Sequence, residues 1–358
     1  MTYNFRVGLR PDWFLAQPEG DAVPLHAMLA LLGAIDATGN IAGACRQCGV
    51  SYRHAWGLLR RFEAIFGTAL LITRRRQGTQ LSPFAERLLW ANRRIAARLT
   101  PMLDSLASEL QEELERLLPE SEPHLRLHAS HGFAVEALMA RLSATTPPVE
   151  LRYRTGQEAL ASLARGECDV AGFQVPVGEF AQPILQRYAP WLDPDDTLLV
   201  HLAVRRTGLF VMRDNPKAIQ GVGDLAREDV RFVNRQPGSS TRLLVDLMLA
   251  ESGIAPAQVS GYDISEFTHM AVAAHIASGM ADTGVGVQTA AARFGLDFVP
   301  LVDERYVFAI RRNLLQAQRM QGLLATLRSD AFRADMQALA GYDATDVGRT
   351  MTVMEAFG

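Results

Sequence analysis

Residues 39–82 read GNIAGACRQCGVSYRHAWGLLRRFEAIFGTALLITRRRQGTQLS. Ile41 to Cys48 forms a short helical pattern, and Gly49-Val50 supplies the turn after it. Ser51 is a natural N-cap, because its hydroxyl can accept from the free amides of a helix start. In the helix it opens, Ala55, Leu58, Leu59, Phe62, Ile65 and Phe66 share one face at helical spacing. Arg53, Gly57 and Arg60 lie on the opposite face. Upstream, Leu25, Met28, Leu29, Leu32 and Ile35 predict a further helix over Leu25–Thr38, ended by a left-handed cap at Gly39. Downstream, Leu70-Leu71-Ile72 leads into the basic hairpin Arg74-Arg75-Arg76-Gln77-Gly78-Thr79, followed by Gln80-Leu81. Helix, turn, helix and basic wing in this order predict a winged helix-turn-helix over residues 1–82, a module that lays one helix in the major groove of double-stranded DNA.

In such a module the first residues of the second helix meet base edges, which assigns that role to Ser51, Tyr52, Arg53 and His54. Arg53 can take a guanine in bidentate fashion, and Tyr52 or Ser51 can bond a phosphate. Arg60 falls nearer the DNA backbone. Arg74, Arg75 and Arg76 suit the flanking minor groove or phosphates, while Arg61 reads as a solvated surface charge. Gly57 costs the helix about 1 kcal/mol against alanine, a loss that close approach of the backbone to DNA would explain.

These residues carry a resemblance. GNIAGACRQCGVSYRHAWGLLRRFEAIFG resembles the N-terminal domain of the molybdate-responsive transcription regulators, and more broadly that of the LysR-type regulators. Val50–Trp56 (VSYRHAW) looks like the start of their recognition helix. Leu81–Glu86 (LSPFAE) looks like the start of the helix after the wing, with Ala85 where the family usually has glycine. The resemblance implies a DNA-binding regulator that works as an oligomer.

Composition agrees with a division of labour. The 358 residues suggest two or three units. Residues 1–100 hold 13 Lys+Arg against 6 Asp+Glu, whereas the whole chain has 36 against 39. A basic head on an acidic remainder predicts that only the head meets a polyanion. No uninterrupted apolar run of membrane-spanning length occurs, and the N-terminus lacks the apolar stretch of a secretory signal. With three cysteines a disulfide framework is not expected, so the chain is read as cytoplasmic with no membrane partner. Cys45-Arg46-Gln47-Cys48 has the form of a metal or redox pair, but no second pair exists and both cysteines fit as packing residues. No metal ligand set, cofactor or catalytic group is assigned. The HExxH, nucleophile-elbow, Walker and dinucleotide-binding motifs are missing.

Ser82-Pro83 is an N-cap with proline at the first helical position, and a helical pattern follows over residues 83–118. Ile95, Leu99, Met102, Leu106, Leu110, Leu114 and Leu117 recur at close to the 3.5-residue period of a coiled-coil seam. This predicts a linker helix that builds a homodimer or homotetramer. Pro101 is expected to kink or split it.

Pro119–His124 marks a domain boundary, and residues 119–358 alternate strand and helix patterns. Strands are expected at 125–129, 149–153, 168–173, 208–212 and 230–233, with helices at 156–165, 240–253 and 270–278. The alternation predicts an α/β fold with a largely parallel sheet. In such sheets ligands bind at strand C-termini, against helix N-termini. NRQPGSSTR at 234–242 combines a helix start, three hydroxyls and two arginines, which suits a small anion. Together with EFTHMAVAAHIASGMADTGVGVQTAA and GLDFVPLVDERY, it resembles the periplasmic-binding-protein-like effector domains of bacterial regulators, those of the molybdate type above all. That resemblance implies a two-lobed type 2 domain with an effector in the cleft. One lobe would supply Ser130, His131 and Gln174. The other would supply Arg235, Ser239, Ser240, Thr241, Thr268 and His269, with backbone amides from Gly284 and Val285. His128 is read as a structural strand residue and Asp282 as ordering its turn. The expected function is a DNA-binding regulator sensing a small anion, either a molybdate-like oxyanion or a small carboxylate such as formate. An enzyme or a solute-binding protein with an appended DNA-binding module is the alternative.

Overall fold

The computed structural model describes residues 7–16, 22–74, 78–117, 125–142 and 149–357. The chain divides into two compact units, Leu9–Ala96 and the remainder, which joins the residues up to Gly8 to those from Ala97 onward. The division falls inside the linker helix rather than at either of its ends.

The first unit begins with a short hairpin, β1 (Phe14–Leu15) and β2 (Val23–Pro24). Three helices follow: α1 (His26–Thr38), α2 (Ile41–Cys48) and α3 (Tyr52–Phe66). Gly39, Gly49 and Gly67 end them in left-handed conformation, where a side chain would be strained. Asn40 caps α2 by accepting from the Gly43 amide, and Ser51 caps α3 by accepting from the His54 amide. Met28, Leu31, Leu32, Ile35, Ala44, Ala55, Leu59 and Phe62 meet in a dry core. Cys45 is buried in it, and the half-buried Cys48 thiol points at the Ala30 carbonyl. The wing is β3 (Leu71–Arg74) paired antiparallel with β4 (Gly78–Leu81). Its tip, with Arg75 and Arg76, lies outside the described residues.

The linker helix α4 runs from Pro83 to Leu117 without interruption. Pro101 does not split it, contrary to the expectation from sequence. Proline removes only one intrahelical bond, the one its own N–H would give to the carbonyl four residues back. That carbonyl belongs to Ala97, and the Thr268 hydroxyl donates to it at 3.2 Å. The exposed residues Met102, Leu106, Leu110, Leu114 and Leu117 form an apolar stripe along the helix.

The second unit contains β5 (Leu125–Ala129), α5 (Phe133–Leu142), β6 (Val149–Tyr153), α6 (Gly156–Arg165), β7 (Val170–Pro176), α7 (Ala181–Tyr188) and β8 (Thr197–Val211). After these come β9 (Phe232–Arg235), α8 (Ser240–Glu251), β10 (Ser265–Glu266), α9 (His269–Ala277), β11 (Thr283–Val287), α10 (Gln288–Arg293) and β12 (Asp297–Arg311). It closes with α11 (Gln318–Arg328), α12 (Asp330–Gln337), β13 (Tyr342–Asp343), β14 (Thr350–Thr352) and α13 (Val353–Phe357). The strand order is β10-β9-β11-β8-β12-β7-β5-β6, with β13 and β14 on β8.

The sheet is mixed rather than largely parallel. β5, β6 and β7 pair parallel, as do β9, β10 and β11. The two 15-residue strands β8 and β12 run antiparallel to each other through both sets. One end of β12 pairs with β7 and the opposite end of β8 pairs with β11. Two lobes therefore share one long antiparallel pair as their hinge, with register shifts in β12 near Pro300 and Tyr306. The sequence reading placed a strand only at 208–212, whereas β8 starts at Thr197. Arg205 is fully buried within the strand.

Candidate functional site

On α3, Ser51, Tyr52, Arg53, His54, Gly57 and Arg60 are all exposed, while Ala55, Leu59 and Phe62 face the core. The sequence pattern therefore placed both faces of this helix. Tyr52 packs edge-on against Trp56, and the Arg60 guanidinium lies 6.0 Å from the centre of the Trp56 ring. Beyond the Gly57 Cα is open space, so its missing side chain serves no packing within the chain. Arg74 ends β3.

In the second unit a cavity of about 330 Å³ lies between the lobes. Of the predicted effector residues, Ser130, His131, Gln174, Arg235, Ser239, Ser240, Thr241 and His269 line it. Three do not. Thr268 caps α9 by accepting from the Ala271 amide, and its proton goes to Ala97. Gly284 is packed so tightly that a Cβ there would collide with the Val233 carbonyl. Val285 belongs to the apolar core around Leu209 and Phe232. Arg242, the second arginine of the 234–242 loop, also turns elsewhere: it pairs with Asp246 at 3.2 Å and stacks on Tyr262. Asp282 orders its turn as read, accepting from the Arg231 amide and guanidinium.

Four helices begin at this cavity. Ser130 and His131 precede α5, Thr155 caps α6, Ser239 caps α8, and His269 opens α9. The first amides of a helix have no intrahelical acceptors, and its N-terminus carries partial positive charge. Convergence of several such ends favours an anion. Ser239 accepts from the Arg242 amide, leaving Ser240 and Thr241 at the first turn.

The polar groups form a bridge across the cleft. The Gln174 amide donates to Ser130 Oγ at 2.6 Å, and the Ser240 hydroxyl donates to Gln174 Oε1 at 3.0 Å. One side chain thus ties the start of α5 to the start of α8. Gly172, two residues earlier on β7, allows Tyr306 and Ala129 to pack here, since a Cβ would lie 2.9 Å from Ala129 Cβ.

Arg205 was not foreseen from sequence. Its Nε and Nη2 donate to Glu304 Oε2 at 3.1 and 3.0 Å, and the Thr207 hydroxyl donates to the same oxygen at 2.6 Å. Burial works against its charge, yet Glu304 more than offsets this and keeps it above the ordinary arginine value. Its Nη1 is buried without a hydrogen-bond partner. Arg235 donates to the Glu266 and Phe267 carbonyls at 3.2 and 2.7 Å. It also sits 3.1 Å from His269 Nδ1. Burial, reinforced by the charge of Arg205, pulls Arg235 down to about 10. His269 is pushed well below its ordinary value by burial and then by Arg235 and Arg205, which keeps it neutral. Glu304 thus pairs directly with Arg205 alone, while Arg235 is held by backbone carbonyls and feels that carboxylate only at longer range. Negative charge entering the cavity would relieve both.

Tyr153, Arg154, Thr155 and Glu158 also line the cavity. Tyr153 stacks on His131 with ring centres 3.8 Å apart. Thr155-Gly156 ahead of Glu158 is a capping box readable in sequence. Its position at the cleft was not, since nothing local says where a capped helix start will point. His128, assigned to a strand, is buried in β5 and lowered to about 4, chiefly by burial and then by Arg154.

Fold and site together define a two-part binding protein, a helix-turn-helix head joined to a two-lobed ligand-binding body. Residues 26–86 match the family described as bacterial regulatory helix-turn-helix protein, lysR family, and residues 136–328 match the PBP superfamily domain. The chain belongs to these families: it is a LysR-type DNA-binding transcription regulator with a PBP-like effector-binding domain. An uncharacterised protein of Bacillus subtilis, YvgK, is 30% identical over 250 residues, 68% of this chain and 79% of that protein. A protein of Clostridium pasteurianum, uncharacterised and encoded in the 5' region of a 2Fe-2S ferredoxin gene, is 31% identical over 111 residues. That match spans 31% of this chain and 98% of the relative. Among solved structures, a cysteine-to-serine OxyR mutant of Corynebacterium glutamicum in its hydrogen peroxide-bound form aligns at 14% identity and TM-score 0.42. The alignment covers 87% of this chain and 92% of that one. Full-length CbnR complexed with its target DNA aligns at 19% identity and TM-score 0.38, over 85% and 98% of the two chains.

Proposed function

We propose that the effector is a small anion, a tetrahedral oxyanion such as molybdate or a small carboxylate such as formate. In this reading it is held between Arg205, Arg235 and the hydroxyls of Ser130, Ser239, Ser240 and Thr241. The observation that carries this reading is the convergence of four helix starts on a cavity containing two buried guanidiniums, one with an unpartnered Nη1. Charge-assisted bonds in a site shielded from water are the strong ones. Binding would draw the lobes together across the Ser130–Gln174–Ser240 bridge and shift the population of DNA-reading states. The protein would act in the cytoplasm as a homodimer or homotetramer joined through the apolar stripe of α4. Leu110, Leu114 and Leu117 are the exposed part of that stripe beyond the cavity.

A thermal-shift screen of molybdate, tungstate, sulfate and formate on the full chain tests the effector. Saturation at 100 times Kd raises stability by about 2.7 kcal/mol, so one of these anions should lift Tm by several degrees while sodium chloride does not. Uniform silence across the screen sinks the small-anion reading.

A further inference from the structure

The effector cavity is not built from the two lobes alone. Arg98, Met102 and Leu106 of α4 also line it, and the contacts that hold this stretch reach both sides of the cleft. On the side of the second lobe, Arg98 Nε lies 3.0 Å from Glu266 Oε2, and the Thr268 hydroxyl donates to the Ala97 carbonyl. On the side of the first lobe, the Ser108 hydroxyl donates to the Leu151 carbonyl at 2.7 Å, and Asp104 Oδ2 stands 3.8 Å from His131 Nε2. One helix segment therefore straddles the mouth of the cleft and is fastened to each lobe separately.

We propose that residues 97–109 of the linker helix form a wall of the effector site, with Arg98 as the positioning residue that seats it. Glu266 is what Arg98 is held by on the second lobe. This carboxylate is buried, with His275 Nδ1 at 3.1 Å from one oxygen and Arg98 at the other. It immediately precedes Phe267, whose carbonyl anchors Arg235. Arg98 thus neutralises a negative charge one residue from the anion-facing machinery. Any change in the separation of the lobes must either move the helix or break one of its two sets of fastenings. Because α4 is continuous back to Pro83, what the cleft does is delivered to the helix that leaves the DNA-reading unit. The inference rests on the small-anion reading for its ligand but not for its geometry.

Two measurements on the full chain separate these. Amide hydrogen exchange without any added anion is compared between the wild type, Arg98→Ala and Arg98→Lys. Arg98→Lys keeps a positive charge beside the buried Glu266, which also retains His275, so the lysine variant controls for any general loss of stability in the alanine one. Alanine should speed exchange across 97–109 at least about fivefold while leaving β5 and β7 unchanged, and lysine should restore most of the protection. Equal exchange in all three overturns the seat. Calorimetric titration with sodium molybdate and sodium tungstate should then show Arg98→Ala weakened about fivefold or more, the lower end of common site-to-site couplings. Unchanged affinity overturns the wall. If the wild type binds neither of these anions, nor sulfate or formate in the same titration, the small-anion reading fails, and the exchange result alone decides the inference.

Discussion

At the scale of single residues, Arg205 and Glu304 bury a charged pair at the hinge. Removing one partner of a buried pair leaves an uncompensated charge, a loss of about 3–5 kcal/mol. Arg205→Ala should therefore lower the denaturation midpoint severely, whereas Arg205→Met combined with Glu304→Leu should recover most of the stability. Neither variant should retain anion binding, and titration of the double variant distinguishes a ligand role from a merely structural one. The buried histidines set a pH dependence. His128 is lowered to about 4 by burial, and His201 and His269 are lowered for the same leading reason. In the unfolded chain they protonate near 6.5. The unfolded state then binds more protons over this range, so stability falls as pH drops below 6.5. The His128 share of that loss ends near pH 4. Melting curves from pH 8 to pH 4 should show the decline, and His128→Leu should flatten it. Arg205 also shows where sequence reading stops. An Arg-Arg pair inside TLLVHLAVRRTGLFV looks like an interruption, because its neutralising partner lies 99 residues away in sequence.

At the scale of elements, the DNA-reading helix was legible because its signals are local. The Ser51 cap and the apolar face lie within one stretch, and the structure realises both. Ser51→Ala should cost the first unit about 1 kcal/mol. Gly57→Ala should stabilise the free protein by about 1 kcal/mol, as open space surrounds the position. If the backbone there approaches DNA, the same substitution should weaken operator binding, and fluorescence anisotropy with the promoter fragment reads this directly. Arg53→Ala should cost about 1–3 kcal/mol and relax preference at one base pair, if its contact is bidentate to guanine. The linker helix was legible as a helix but not in its contacts. Its stripe period was visible, yet Met102 and Leu106 of the stripe line the cavity, because packing against a distant lobe leaves no mark in a local period. Thr268 does not line the cavity, for a related reason. A threonine at a helix start near a cleft looks like a ligand, but its hydroxyl serves the carbonyl that Pro101 leaves bare.

At the scale of the whole molecule, charge separates the tasks. A basic first hundred residues on a net acidic chain predicts DNA affinity that falls steeply with salt, with a log-log slope near −0.9 per neutralised phosphate. Measuring that slope for the wild type and for Arg60→Ala should show a reduction of about one unit, if Arg60 meets a phosphate. The loop at 234–242 was legible as a capped helix start rich in serine and arginine, and Arg235, Ser239, Ser240 and Thr241 from it line the cavity. The cavity as a whole was beyond sequence, since its lining comes from α4, both lobes and the hinge. The shared pair β8–β12 has a mechanical implication. A sensor whose lobes pivot on two continuous strands, with its counter-charges at the pivot itself, stores the signal where lever arms are shortest. A small displacement at Arg205 is thereby magnified at the outer edges of the lobes, which is the leverage the proposed small anion would use.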